Sequence, residues 1–158
     1  MSNLQRARQK IVLLPGIEIE TQAPVYETEP VDVRTDYRRF SFLNTILILS
    51  SAGELTAPEL AALLNELKHI EHTLGRLDSS IQNAPRRLDL DLIYAGELTV
   101  ERPELILPHP RWAQRRFVLQ PLADVRPDLV LPGETRPVRT VLAALPDGQE
   151  VVLFKDEW

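Results

Sequence analysis

An α+β domain built on a mainly antiparallel sheet is what this sequence predicts, and two observations carry that expectation. Short stretches alternate every second residue, as in "IEIE" at 17–20 and "LDLDL" at 88–92, the pattern of half-buried strands. Between them Leu60, Leu63, Leu64, Leu67, Ile70 and Leu74 recur at helical spacing, the apolar stripe of an amphipathic helix. With 158 residues the chain can bury a core of its own, and one domain over 1–158 is expected.

Taken in order, residues 2–14 predict a first helix. Leu4, Ala7, Ile11 and Leu14 share a face, Ser2 and Gln5 have capping-box spacing, and Pro15-Gly16 stops it. Ile17 and Ile19 alternate with glutamates in a strand reaching towards Tyr26. The polar stretch "VDVRTDYRRF" at 31–40 predicts a loop. "FLNTILILS" at 42–50 is nearly all apolar and predicts a strand buried on both faces. The second helix starts at a Thr56/Glu59 capping box, tolerates Pro58 in its first turn and stops near Gly75. A polar loop at 77–85 leads into a strand, "RLDLDLIYAG", at 87–96. The tail adds a short apolar segment at 117–125, a helix within 136–145 and a strand-like run, "EVVLF", at 150–154.

Helix, strand, strand, helix, strand is the order of a ferredoxin-like αβ sandwich without its opening strand, followed by a C-terminal extension. In that topology the opening strand lies mid-sheet, beside the strand after the second helix. An N-terminal strand is therefore expected to be missing, and unpaired backbone in a sheet centre is costly. The run at 150–154 is expected either to fill that position or to add an edge strand.

Composition narrows the function. The net charge of −5 argues against general nucleic-acid binding, while Arg86, Arg87, Arg111, Arg115 and Arg116 cluster in two short segments. Local arginines on an acidic protein suit a compact anion such as a nucleoside triphosphate. The absence of cysteine excludes disulfides, thiolate zinc sites and cysteine nucleophiles. No apolar run approaches the roughly 20 residues of a membrane span. The opening "MSNLQRARQK" lacks the apolar centre of a signal peptide. A cytoplasmic location, no membrane partner and a monomer rather than an oligomer are expected.

The strongest chemical signal is Asp89 and Asp91. Strand alternation points both carboxylates one way and Leu88, Leu90 and Leu92 the other. Two adjacent carboxylates repel unless a positive charge lies between them, and a hard divalent cation is the usual solution. Magnesium accepts carboxylate oxygens and keeps its other positions for water and phosphate.

"APRRLDLDLIYAG" at 84–96 closely resembles the signature of the 6-hydroxymethyl-7,8-dihydropterin pyrophosphokinase family. Four further segments agree in order: "VYETEPV" at 25–31, "FSFLN" at 40–44, "IEHTLGR" at 70–76 and "LPHPRWAQRRFVLQPLADVRPDLVLP" at 107–132. The resemblance implies transfer of the terminal pyrophosphate of ATP, the co-substrate, to the hydroxymethyl group of the reduced pterin, with release of AMP. It implies that Asp89 and Asp91 bind two Mg²⁺ ions and that Arg76 and Arg86 neutralise phosphates, these four forming the catalytic set. Lys68, Arg86, Leu92, His109 and Arg115 match nucleotide-contacting positions. Thr28, Val31, Phe42, Asn44 and Phe117 match pterin-lining positions.

Several residues depart from the family pattern. Asp78 and Ser79 stand where basic residues are common, Asn83 where an aromatic often stacks, Phe42 where tyrosine is frequent, and Glu29 where proline is common. A non-catalytic nucleotide- or pterin-binding homologue is therefore the alternative expectation, and a ferredoxin-like interaction domain pairing through an open sheet is a third. The loops at 32–40 and 77–85 are expected to close over the nucleotide.

Overall fold

The computed structural model describes residues 1–28, 41–75 and 88–158. The first helix, α1, runs Ser2–Ile11 and buries Ala7 and Ile11 against the second helix. It ends one turn before residue 14. Pro15 disfavours helical backbone at Leu14, and the chain reverses at Gly16, whose φ of +71° favours glycine. The expected Ser2–Gln5 box does not form: Met1 is the N-cap and no side chain caps the helix.

Next comes one long antiparallel ribbon with a corner in it. Strands β1 (Ile17–Gln22) and β4 (Leu47–Ser51) pair at one end, and β2 (Val25–Thr28) and β3 (Phe42–Asn44) at the other. The single strand expected at 42–50 is thus two, in different sheets, and most of its residues are half-buried rather than buried on both faces. Pro24, which has no N–H for a ladder, sits at the corner. The Ala23 N–H donates to the Ile46 carbonyl at 2.9 Å, the last ladder bond before it. The Ala23 carbonyl accepts from both the Thr45 hydroxyl and the Trp158 indole N–H at 2.9 Å.

Helix α2 (Ala57–Gly75) begins as expected. The Thr56 N–H and hydroxyl both donate to Glu59 Oε2 at 2.7 Å, which holds the Glu59 carboxyl below the usual range. Leu67, Ile70 and Leu74 pack on α1 together with Leu88. Leu60 packs on a hairpin, β5 (Val100–Arg102) with β6 (Leu105–Leu107), which the sequence did not announce because three-residue strands carry almost no periodicity.

A 3₁₀ turn at Trp112–Gln114 leads to α3 (Arg116–Val125), so the apolar segment at 117–125 is helical despite the internal Pro121. Helix α4 (Val138–Ala143) lies within the expected 136–145. Leu119, Leu122 and Val138 are fully buried where α3 meets α4. The final strand, β7 (Val151–Lys155), pairs antiparallel with β2 on the outside of a β3–β2–β7 sheet. Among the described residues it is therefore an edge strand and fills no central position. The Gln149 side chain steers it there, accepting from the Arg116 N–H at 2.8 Å and donating to the Gln114 carbonyl at 3.2 Å.

Every pairing among the described residues is antiparallel, in a mixed helix–strand chain with three small sheets. The strand expected at 87–96 is not one: residues 88–95 belong to no sheet. Their backbone bonds go elsewhere. The Leu90 N–H donates to the Glu71 carboxylate, the Leu90 carbonyl accepts from Lys68 Nζ at 2.8 Å, and the Ile93 carbonyl accepts from the His109 N–H at 2.7 Å. No described strand lies alongside to supply a ladder.

A tie from β2 to α3 gives a pH test. The Tyr26 hydroxyl donates to Asp124 Oδ2 at 2.6 Å; burial, then that carboxylate, raises its pKa to about 12. An unfolded tyrosine ionises near pH 10, so the stability held in this group is present below pH 10 and is lost as pH rises towards 12. Melting temperatures measured from pH 9 to 12 should fall more steeply for the wild type than for Tyr26→Phe. Parallel profiles would remove Tyr26 from the alkaline response.

Candidate active site

The extended segment after α2 keeps the alternation its sequence encodes. Leu88 is buried and Leu90 and Leu92 pack against the same cluster, while the side chains of Asp89 and Asp91 are 55% and 36% exposed. Both carboxylates approach Lys68 of α2, whose Nζ lies 3.4 Å from Asp89 Oδ1 and 3.2 Å from Asp91 Oδ1. The same ammonium meets Glu71 Oε1 at 2.7 Å. Burial works against the Lys68 charge, but the Glu71 hydrogen bond and the Asp91 and Asp89 charges outweigh it and leave its pKa above the ordinary lysine value. Burial also lifts the Glu71 carboxyl, against the opposing pull of Lys68 and the Leu90 N–H. Three carboxylates face that ammonium and hold its charge in place.

A cavity of about 660 Å³ opens beside these carboxylates. Residues 43–51 line one side and residues 89–98 the other, with Leu4, Ala7 and Ile11 of α1 and Leu60, Leu63 and Leu67 of α2 among the remaining walls. It brings Asn44, Asp89, Asp91 and Leu92 into one space. At its β2–β3 side, Thr28 and Phe42 are register partners, and Asn44 Nδ2 donates to the Thr28 hydroxyl at 2.7 Å and the Phe42 carbonyl at 3.4 Å. Helix α3, which carries Phe117 in its first turn, packs on β2 and β3.

His109 and Arg115 sit on the other flank of the carboxylates. His109 Nδ1 accepts the Arg111 N–H at 3.1 Å, which leaves Nε2 as the protonated nitrogen of the neutral ring. Burial, then the nearby Arg115 charge, holds the His109 pKa below its ordinary value despite the opposing pull of Asp91. The Arg115 guanidinium lies over the Phe117 ring, 5.5 Å from its centroid, a cation–π distance. Cations and one neutral donor thus gather beside two carboxylates, an arrangement that can hold a polyanion and its counter-ions.

The family model for 7,8-dihydro-6-hydroxymethylpterin-pyrophosphokinase (HPPK) matches residues 1–127. The chain belongs to the HPPK family. A 2-amino-4-hydroxy-6-hydroxymethyldihydropteridine pyrophosphokinase from Pseudomonas aeruginosa is 35% identical over 152 residues, covering 92% of this chain and 88% of that protein. The protein of the same name from Synechocystis is 37% identical over 133 residues, 84% of this chain and 63% of that one. A folate synthesis bifunctional protein from Arabidopsis thaliana is 41% identical over 110 residues, 70% of this chain but only 21% of the larger protein. The chain therefore spans about a fifth of the Arabidopsis relative and under two thirds of the Synechocystis one.

In this HPPK-family chain the structure gathers Lys68, Asp89 and Asp91 on one side, Thr28, Phe42 and Asn44 on another, and His109, Arg115 and Phe117 on a third. Leu92 lines the cavity but also packs against the apolar clusters around α2. Arg76, Arg86 and Val31, the loops at 32–40 and 77–85, and the atypical Glu29, Asp78, Ser79 and Asn83 all lie outside the described residues. Sequence reasoning passed over Glu71, which clamps both Lys68 and the Leu90 N–H with a side chain only 12% exposed. Its signal was present: Glu71 follows Lys68 by three residues, the spacing of facing charges on a helix.

Proposed function

We propose that the chain transfers the pyrophosphoryl group of ATP to the hydroxymethyl oxygen of 6-hydroxymethyl-7,8-dihydropterin, giving the pterin diphosphate and AMP in folate synthesis. The observation that carries this reading is the approach of Asp89 and Asp91 to Lys68 in the lining of a cavity that Asn44 shares.

The donor set suits magnesium. Lys68 Nζ already stands as a cation among carboxylate and carbonyl oxygens. Among the described residues no group of three or more His, Cys, Asp or Glu gathers for a metal. Two carboxylates would thus hold the ions while water and phosphate oxygens complete the coordination, as magnesium prefers. When bound, two Mg²⁺ ions would neutralise the triphosphate and polarise its β-phosphorus for in-line attack.

Other roles belong to the chain itself. Arg76 and Arg86 would bind the phosphates that separate, and Lys68, Leu92, His109 and Arg115 the nucleotide. His109 offers one N–H from Nε2 without a positive charge that would compete with the metal. Thr28, Val31, Phe42, Asn44 and Phe117 would hold the pterin. Asn44 fits that task because a side-chain amide offers a donor and an acceptor to a heterocycle edge, and its bond to Thr28 fixes which way the amide faces.

The same reading extends to the fold. We propose a ferredoxin-like sandwich, in one domain over 1–158. No described helix is long and apolar enough to cross a membrane. A cytoplasmic monomer acting on ATP and the pterin, without nucleic acid, completes the proposal.

Purified protein incubated with ATP, Mg²⁺ and the reduced pterin should form AMP and the pterin diphosphate in equal amounts, separable by ion-exchange chromatography. Release of ADP, or no AMP at all beside an active relative, would refute the assignment.

A further inference from the structure

Lys68 occupies the position from which a metal ion would be expected to neutralise the two aspartates. Its Nζ has four oxygen neighbours: Glu71 Oε1 at 2.7 Å, the Leu90 carbonyl at 2.8 Å, Asp91 Oδ1 at 3.2 Å and Asp89 Oδ1 at 3.4 Å. An ammonium has three N–H bonds, so these four oxygens outnumber its donors. The longest contacts are those to the aspartates, the shortest those to Glu71 and the Leu90 carbonyl. Glu71, only 12% exposed, also accepts the Leu90 N–H, so Lys68 is moored at its base while its reach to the aspartates is loose.

We propose that Lys68 is a resident counter-cation, which holds the Asp89–Asp91 pair ready before divalent metal arrives and competes with that metal for the pair. This rests on the reading of Asp89 and Asp91 as the metal-holding residues and assigns Lys68 a positioning role within it. Two carboxylates on alternate residues of one extended segment repel each other, and an ammonium beside them offsets that repulsion. The same ammonium opposes an incoming dication. As metal binds, the ammonium withdraws from the aspartates and keeps its Glu71 and Leu90 partners. It is then placed at the edge of the cradle facing the oxygens of a metal-bound anion. Free metal therefore binds weakly, and metal arriving with a polyanion binds better because the displaced ammonium gains a partner. The lysine sets a threshold that favours loading of the metal–nucleotide complex over free metal.

The test is direct titration with Mn²⁺ in the absence of nucleotide, read by electron paramagnetic resonance of the free ion. Lys68→Gln should bind Mn²⁺ roughly 5-fold more tightly than the wild type, the change that about 1 kcal/mol of exposed charge pairing corresponds to. Lys68→Arg, which keeps the charge, should bind like the wild type. Lys68→Met gives a second neutral variant should Lys68→Gln fail to fold by circular dichroism. In a metal-free buffer the neutral variants should melt below the wild type, and added Mg²⁺ should raise their midpoints more than it raises the wild type's. Equal or weaker Mn²⁺ binding by both neutral variants, or none up to millimolar metal, would overturn the proposal. Asp89→Asn and Asp91→Asn separate it from the reading beneath it. If they leave wild-type Mn²⁺ binding intact, the aspartate cradle itself fails; if they abolish binding while the Lys68 variants change nothing, only the role of the lysine does.

Discussion

Asp91→Ala is expected to reduce AMP formation by about 10³-fold or more, with the fold intact. The size follows from what the carboxylate does. It is one of two that would hold the ions, and loss of a Lewis-acid contact to the transferring group is worth several kcal/mol, each roughly 1.4 kcal/mol being tenfold in rate. Stability should move little, because the Asp91 side chain is 36% exposed and its partner Lys68 retains Glu71 and the Leu90 carbonyl. Screened pairs of this type contribute about 0–1 kcal/mol. Rate and melting temperature thus separate, which distinguishes loss of chemistry from loss of structure. Asp89→Ala should behave alike, and the double variant should lose little more than either single one, since the two carboxylates act as a unit. Turnover by Asp91→Ala at the wild-type rate, with the same magnesium dependence, would sink the metal cradle.

Leu119→Ala should produce the largest loss of stability. Leu119 has no exposed surface and lies in the cluster formed by Trp112, Val118, Leu122, Leu131, Val138 and Val141. Truncating a leucine in such surroundings costs about 2–5 kcal/mol, the transfer of the lost atoms plus the cavity left behind. In a chain of this length each kcal/mol shifts the midpoint by roughly 2–4 °C, so a fall of about 10 °C is expected in a thermal scan. The experiment also tests the single domain. Trp112 lies in this cluster, whereas Trp158 is tied to the ribbon corner at Ala23. If residues 1–158 unfold as one unit, circular dichroism and tryptophan fluorescence should fall together in both wild type and variant. Two transitions, with only one displaced by the substitution, would divide the chain.

Local signals were legible and non-local ones were not. Helix α2 could be read because its apolar stripe and its Thr56–Glu59 start lie in consecutive residues and need no knowledge of the rest of the chain. The alternation of Asp89 and Asp91 with Leu88, Leu90 and Leu92 was legible for the same reason, and it survives although the segment is not in a sheet. Side-chain facing follows from extended backbone alone; a ladder needs a neighbour, and the neighbour is a matter of tertiary structure. The split of the ribbon at Pro24 was masked by the continuous apolarity of "FLNTILILS", whose two halves pair with different strands. Sequence alone does not decide the position of β7, because an apolar pentapeptide fits a central or an edge place equally well. For the site, the family resemblance named Lys68, Thr28, Phe42, Asn44, His109, Arg115 and Phe117. The geometry adds Glu71 and the contacts that join them into groups.

The indole of Trp158 and its main-chain oxygen close on residues 22 and 23, the one donating to the Ala23 carbonyl and the other accepting from Gln22 Nε2. That latch spans 135 positions of sequence. During translation the ribbon corner emerges early and has to wait unlocked until residue 158 clears the ribosome. Backbone deuteration around Ala23 should therefore report the arrival of residue 158, protected once that residue has emerged and open in a chain stalled a few codons before it.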